Sequence, residues 1–557
     1  MRRRACLVLG LAAVVALPAQ ASANVTVDDF KVEPASKQAG GHPNVTITQT
    51  FSYGSDADDS VRDAFVRLPP GLLGNPQNAG FCSQQQFSSD TCPPNSTVGS
   101  VQVTARLTAT PLITLTNPGT VFNLTPTGNE PARVGVLVEA AGGLSKIRLQ
   151  APVFVKPGPD GYGLESTFAD QPRNSGGLGI QITKVALTFN GQASKGPFMR
   201  MPTSCATGTA VTRANSWDAS NVFSQRTTTV TPTGCDKLAF NPKAEGSMGT
   251  PGQTGPGDFP PVSTTLRFNP EEAALRRAEV VLPNSLAPNP PGTQRSCPRP
   301  LADSGNCPDS SRVGTAIIDS PLQAKPVRGP VYFALNTDNP IPGLLVILPP
   351  PVGVRLDGLT ELGAFGTKNT FAANPDLPVR SFTLEFEGVR QDALLTLNQD
   401  LCAPNTDRTM ELRLVAYNGK ESSFSQELAT PGCDPRARVS IRRRGRKATL
   451  VARLKAGRDG PGITGFRLKL PRTLARGRAR PYVVADGTRM RARSRRRQAS
   501  RTFSADVRSA TVVWRGLRAG PRLRRTTTVR LSMLDARPHT TALKQSVRVR
   551  GKPPKRH

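Results

Sequence analysis

The chain predicts an all-β fold: tandem antiparallel β-sandwich modules, immunoglobulin-like or jelly-roll-like, two of them bearing disulfides and a third strongly basic. Three observations predict it. Apolar residues recur at every second position in short runs, which puts half the side chains of a strand on a core and half in water. The 52 Pro and 50 Gly among 557 residues break those runs into strand-sized pieces with turns between them. And one block of sequence, cysteines included, occurs twice.

The first element is an export signal over residues 1–23. A basic head, MRRR, leads into an apolar run from Ala5 to Leu17, then Pro18 and small residues that fit an A-x-A cleavage pattern at Ala21 and Ala23. The run falls short of the ~20 residues a membrane span needs. No later stretch is apolar enough to span.

The duplication defines the next elements. "CPPNSTVGSVQV" from Cys92 is echoed by "CPDSSRVGTAII" from Cys307. Upstream, "AFVRLPPGLLGNP" (64–76) parallels "AEVVLPNSLAPNP" (278–290). Cys82 stands to Cys92 as Cys297 stands to Cys307, and Cys205 to Cys235 nearly as Cys402 to Cys433. An even cysteine count at repeated spacing in an exported chain reads as a disulfide framework. A copied module closes its bonds within itself, so the expected pairs are Cys82–Cys92, Cys205–Cys235, Cys297–Cys307 and Cys402–Cys433. Metal ligation would need close C-x-x-C pairs, which the sequence lacks. The modules are accordingly placed at 24–240 and 262–433, with the Pro/Gly-rich 241–261 expected to be an irregular linker. The one expected helix start is Asn269-Pro270-Glu271-Glu272.

The third module, 434–557, carries the charge. It holds 37 Lys and Arg against 5 Asp and no Glu, a net +32 that equals the net charge of the whole chain. A fainter echo links it to the others: each has a strand ending in Leu-Pro-x-x-Leu, at Leu68, Leu282 and Leu470. Proline cannot donate to a ladder and so ends the strand. Around it, Phe466, Leu468 and Leu470 alternate with Arg467 and Lys469, and Leu450, Ala452 and Leu454 with Val451 and Arg453.

On the elements "QAGGHPNVT" (38–46), "VRLPPGLLGNP", "CPPNSTVGSV" and "EPARVGVLVEA" (130–140), the chain resembles a large group of uncharacterised secreted proteins of GC-rich actinobacteria. The match spans most of 24–433. The strand ending Leu-Pro-x-Gly-Leu also resembles the immunoglobulin-like repeats of bacterial surface proteins. The resemblance implies location and fold; it brings no catalytic residues.

Chemistry finds little to stand on. The histidines are His42, His539 and His557, none with a metal-ligand partner at a fitting spacing, and no nucleophile, phosphate-loop or zinc motif occurs. No metal, cofactor or catalytic residue is expected. Asp56, Asp58, Asp59, Glu385 and Glu387 are the acids that a glycosidase would have to pair, and "GSDADDS" (54–60) lacks calcium-loop spacing; solvated turns and outward strand faces explain them. Aromatics make up 5% of residues. Trp514 reads as core. Trp217, in a polar loop between Cys205 and Cys235, reads as a plug over the disulfide, with a sugar platform as the alternative. The candidate anion-binding residues are Arg442, Arg443, Arg444, Arg446, Arg495, Arg496 and Arg497, because guanidinium forks suit phosphate and carboxylate. Their expected partner is an anionic envelope polymer or phospholipid surface, held in a salt-sensitive way. Sequence-specific nucleic-acid reading is not expected. Arginine also accumulates where a GC-rich genome fills outward positions, and both origins stay open. The expected class is a non-catalytic exported or envelope protein, structural or ligand-presenting. The alternative is a secreted carbohydrate-binding or carbohydrate-active protein.

Overall fold

The computed structural model describes residues 24–54, 59–108, 113–140, 145–175, 177–335, 341–364, 366–475, 477, 479–495, 497–520, 523, 526–537 and 540–551. Residues 1–23, expected to be an export signal, and Asp56, Asp58, His539, His557 and Arg496 lie outside them. Strands dominate. The first unit contains β1 (Val25–Pro34), β2 (Val45–Tyr53), β3 (Val61–Arg67), β4 (Thr97–Leu107), β5 (Ile113–Leu124) and β6 (Ala132–Ala140). It continues with β7 (Ser145–Lys156), β8 (Gly163–Phe168), β9 (Leu178–Phe189), β10 (Gly208–Ser216) and β11 (Ser224–Val230). They pair antiparallel in the order β1-β2-β9-β4-β5-β6-β7-β8-β3-β10-β11.

The second unit repeats this order strand for strand. Its members are β12 (Lys243–Met248), β13 (Val262–Arg267), β14 (Leu275–Val281), β15 (Arg312–Asp319), β16 (Val327–Ala334) and β17 (Gly343–Leu348). Then follow β18 (Val354–Gly363), β19 (Gly366–Phe371), β20 (Ser381–Phe386), β21 (Thr409–Ala416) and β22 (Glu421–Glu427). The path β12-β13-β20-β15-β16-β17-β18-β19-β14-β21-β22 is the first path shifted by one repeat. Each strip rolls until its ends meet. In the first unit Val27 N donates to Ser224 Oγ (2.9 Å) and Arg226 Nε to Val27 O (3.0 Å). In the second, Met248 N donates to Ala429 O and Ala429 N to Gly246 O, both at 2.9 Å. Rolling hides the edges that an open sheet would leave unpaired, and the inward rows form the cores.

The third unit comprises β23 (Arg436–Arg444), β24 (Lys447–Lys455), β25 (Ile463–Lys469), β26 (Tyr482–Ala485) and β27 (Thr488–Arg491). It is completed by β28 (Arg493–Arg495), β29 (Gln498–Val507), β30 (Ser509–Ala519), β31 (Thr526–Asp535) and β32 (Thr540–Arg550). Their order is β27-β26-β30-β24-β23-β32-β31-β25-β29-β28. A short parallel contact between β23 and β32 joins the two halves. Trp514, fully buried, sits in this core.

All three Leu-Pro-x-x-Leu segments do the same work. The leucine before proline makes the last ladder bond: Leu68 N to Leu164 O, Leu282 N to Thr367 O and Leu470 N to Arg497 O, at 2.8–2.9 Å. Proline then stops the strand, and the next leucine turns under it, its N–H reaching back to the proline carbonyl (Leu72, Leu286, Leu474). All six leucines are buried.

Two expectations are corrected. Residues 241–261 are not a structureless linker: Lys243–Met248 form β12, the first strand of the second sheet. The glycines that suggested a linker serve the following turns, Gly249, Gly252 and Gly257 having φ of +74°, +82° and +83°. Asn269–Glu272 form a turn rather than a helix. The short helices lie elsewhere: α1 (Gln84–Ser88), α2 (Pro290–Thr293) and α3 (Arg299–Asp303).

The structure bonds Cys82 to Cys92, Cys205 to Cys235, Cys297 to Cys307 and Cys402 to Cys433, with Cα–Cα distances of 5.1, 5.9, 5.5 and 5.3 Å. The Cys82 and Cys297 bonds close small loops around α1 and α3 and hang them on β5 and β16 through Cys82 N to Asn123 O and Cys297 N to Phe333 O. Closing ten residues of chain is worth about 3 kcal/mol in the chain-entropy account. Cys82→Ser with Cys92→Ser is therefore expected to lower stability by about 3 kcal/mol in urea unfolding. A loss below about 1 kcal/mol would mean that the loop is held without the bond.

Candidate functional site

The other two disulfides mark where the units join. The units stack end to end, and Cys205–Cys235 lies at the first joint: Asn418 Nδ2 of the second unit donates to Cys235 O (3.1 Å) and Leu238 O (3.0 Å). Beside it, buried Asp376 accepts from Thr203 N and Thr203 Oγ1, both at 2.7 Å, while Thr203 Oγ1 accepts from Ala274 N. Gly71 leaves room for this carboxylate: a Cβ there would lie 2.6 Å from Asp376 Oδ2, and φ is +80°. That explains why the Leu-Pro-x-x-Leu turn carries glycine in the first copy alone. His42 spans the same joint, with Nδ1 2.7 Å from Met199 O and Nε2 3.1 Å from Glu271 Oε2. Cys402–Cys433 lies at the second joint, where Asp459 Oδ2 accepts from Gly252 N (2.7 Å) and Arg537 Nη2 reaches Asp434 Oδ1 (3.0 Å).

The candidate arginines divide. Arg442 and Arg444 point outward from β23, and Arg446 is exposed in the turn that follows. Arg443 is buried instead, its Nε donating to Gly445 O (2.9 Å) and its Nη1 to Leu523 O (3.4 Å). Period two forces this, because Arg443 falls on the inward row of β23 with Val439 and Ile441. Arg495 is exposed on β28, away from β23, and Arg497 is half-buried. Facing cations are most numerous on the outer face of β23, β24 and β30. There Arg438 faces Arg453, Arg436 faces Lys455, Arg444 faces Lys447, and Lys447 faces Arg518. The opposite sheet carries a shorter row, in which Lys469 and Lys544 face Arg530 from either side. Like charges directly opposite across a sheet repel. The five acids of this unit are placed elsewhere: Asp434 and Asp459 at the joint, Asp535 buried, Asp506 on β29, and Asp486 capping the Arg508 and Ser509 amides.

Trp217 is neither a disulfide plug nor a free platform. It follows β10, at the far end from Cys205, and its indole N–H donates to Gln171 O (3.0 Å). The Arg62 and Arg173 guanidinium groups lie 5.2 and 5.9 Å from its ring centroid. The second unit repeats the latch with Tyr417, whose hydroxyl donates to Asn374 O (2.6 Å). Asp59 is a turn cap: burial pushes its carboxyl up, but bonds from the Ser216 and Asn24 side chains and the Ser60 and Asp218 amides win and hold it below the usual range. Glu385 and Glu387 are exposed on the second unit, near Arg328 and Arg312. Among the described residues no group of three or more His, Cys, Asp or Glu is placed to hold a metal, and no helix is long and apolar enough to cross a membrane.

Sequence reasoning missed three adjoining apolar cavities in the first two units. The distal one, about 140 Å³, lies inside the first unit. The central one, about 180 Å³, shares Phe168, Val185 and Leu187 with it and reaches the joint. The third, about 100 Å³, lies in the second unit and shares Ile318, Val352 and Val379 with the central one. Protein interiors leave few apolar spaces of this size unfilled. The central cavity abuts a polar vestibule of about 300 Å³ at the joint, lined by His42, Asn78, Arg200, Glu271 and Arg380, with Leu73, Phe198 and Leu322 common to both. Arg200 is 7% exposed; its Nη2 donates to Glu272 O (2.9 Å), while its Nε has no acceptor among the described residues.

No family model and no curated protein matches the chain. Among solved structures it is similar to the Enterococcus faecalis MSCRAMM ACE, which binds its ligands by the collagen Hug model, at 9% identity over 56% of this chain and 94% of that one, TM-score 0.17. It is similar to the N-terminal domain of the Streptococcus gordonii adhesin Sgo0707 at 8% identity over 94% and 92% of the two chains, TM-score 0.19. A third is the C-terminal domain of the Streptococcus agalactiae AgI/II polypeptide BspA, at 10% identity over 55% and 100%, TM-score 0.17. Likeness at this level says nothing of ligand or activity.

Proposed function

We propose that the protein is a non-catalytic extracellular or envelope component: a jointed stack of β units held to an anionic polymer by the outer face of β23, β24 and β30. The observation that carries this reading is the set of cation pairs facing one another across that sheet. Folding alone gains nothing from such pairs, and a polyanion relieves their repulsion while releasing its counterions. Outward residues repeat about every 6.8 Å along a strand and about 4.8 Å between strands, so a linear chain of charges meets a ladder of guanidinium groups. The sugar-binding alternative loses its platform, since two guanidinium groups and a backbone carbonyl already engage Trp217.

The test is binding of the purified full chain to immobilised polyphosphate across a salt series. Release is expected between about 0.1 and 1 M salt, as screening shortens from about 10 to 3 Å. Changing Arg436, Arg438, Arg442 and Arg444 to Gln should lower the slope of log affinity against log salt by about 3, at ~0.7 per lost contact. Four changes on the opposite sheet, at Arg467, Lys469, Arg530 and Arg548, should lower it by less, because that sheet has two facing cation pairs, both through Arg530, against four on the proposed face. Equal slopes for both variants would reduce the effect to net charge and overturn the reading.

A further inference from the structure

The distal and central cavities adjoin, the central one adjoins the vestibule, and we infer that together they take a single-chain amphiphile: a long-chain carboxylate whose tail lies in those two cavities and whose head meets Arg200. The inference is independent of the polyanion face, which belongs to another unit.

Three observations carry it. The cavities are lined mainly by apolar side chains. Each shares wall residues with the next, so a ligand that enters the central cavity from the vestibule and continues into the distal one is an extended hydrocarbon chain rather than a compact ring system. At the distal end Leu178 lines the cavity and is 43% exposed.

The third observation sets the head group. Where the central cavity meets the vestibule, behind Phe198, the Arg200 guanidinium is buried with Nε unpartnered. A buried charged donor without a partner is costly, and a carboxylate is the acceptor that fits a guanidinium edge. The vestibule contains Glu271 as well, and Asp376 lies near Arg200 within its electrostatic reach. A singly charged head suits this company, whereas a doubly charged phosphate meets repulsion. His42, Asn78 and Arg380 supply the remaining polar wall.

The experiment is calorimetric titration of the full chain with decanoate, dodecanoate and hexadecanoate below their micelle thresholds, with hexadecanol and hexadecyl phosphate as head-group controls. One-to-one saturable binding is expected, tightening from decanoate to hexadecanoate, with both controls weaker. Arg200→Met should weaken hexadecanoate about tenfold and leave hexadecanol unchanged. Val185→Phe, at the wall shared by the distal and central cavities, should weaken hexadecanoate and leave decanoate near wild type. Should Arg200→Met fail to fold by circular dichroism, Val185→Phe and the chain-length series decide. Absence of saturable binding, or a chain-length series that Val185→Phe leaves unchanged, overturns the inference. Preference for hexadecyl phosphate overturns the carboxylate assignment.

Discussion

Replacing Arg537 by Met is expected to lower the stability of the third unit by about 3–5 kcal/mol, the usual cost of stripping one partner from a buried ion pair. The Arg537 side chain is 1% exposed and that of Asp535 is 0% exposed. Arg537 donates from its backbone and Nε to Asp535 at 2.9 Å, and from Nη2 to Asp434 Oδ1 at 3.0 Å. Burial alone would lower its pKa, yet the two carboxylates outweigh burial and raise it. Methionine of similar length keeps the packing and leaves two acids facing each other without their cation. Because Asp434 also accepts from Thr430 N and Oγ1 beside Cys433, the damage reaches the joint with the second unit. Calorimetry should show the unfolding transition of the third unit moving down and separating from the rest. Arg537→Met combined with Asp535→Leu and Asp434→Asn should recover most of the loss, since apolar replacement of a whole buried network is often neutral. A single-variant loss below about 1 kcal/mol would place the cluster in water.

What the sequence makes legible here is periodicity and repetition. Alternation at Leu450, Ala452 and Leu454 locates an inward row, which is buried, and the Leu-Pro-x-x-Leu spacing locates a turn, because both are local. Strand order is not local. Nothing in the run of residues says that β9 lies between β2 and β4, or that β3 lies between β8 and β10; the pairing is settled by which edges find each other when the strip rolls. The face of a single residue at a strand end is equally hidden. Arg442, Arg443 and Arg444 look alike in sequence, and only the phase set by Val439 and Ile441 turns the middle one inward. Arg200, Asp376 and His42 stand far apart in sequence and are ordinary in their own neighbourhoods. They become a site only because the two copies stack end against end.

Asp376→Ala should produce a loss of about 1–3 kcal/mol at the other joint. The carboxylate is 4% exposed and receives both the amide and the hydroxyl of Thr203. Without it that amide is a buried donor with no acceptor, and Arg200 loses a nearby opposite charge. Asp376→Asn keeps an acceptor and should cost less than half as much. Acidity supplies a second reading of the same contact. Burial, outweighing Arg200 and the Thr203 bonds, raises the Asp376 pKa. A carboxyl whose folded pKa lies above its unfolded value of about 4 leaves stability at its full level below pH ~4, and costs progressively more as pH climbs through the folded value. The joint should therefore weaken on going from about pH 4 toward neutrality in the wild type, and the Asn variant should show a flatter profile. The measurement is protease sensitivity of the 231–242 crossing between the units, followed against pH. If wild type and Asp376→Asn respond to pH alike, the carboxyl is ionised throughout, and Arg200 with the Thr203 bonds outweighs burial.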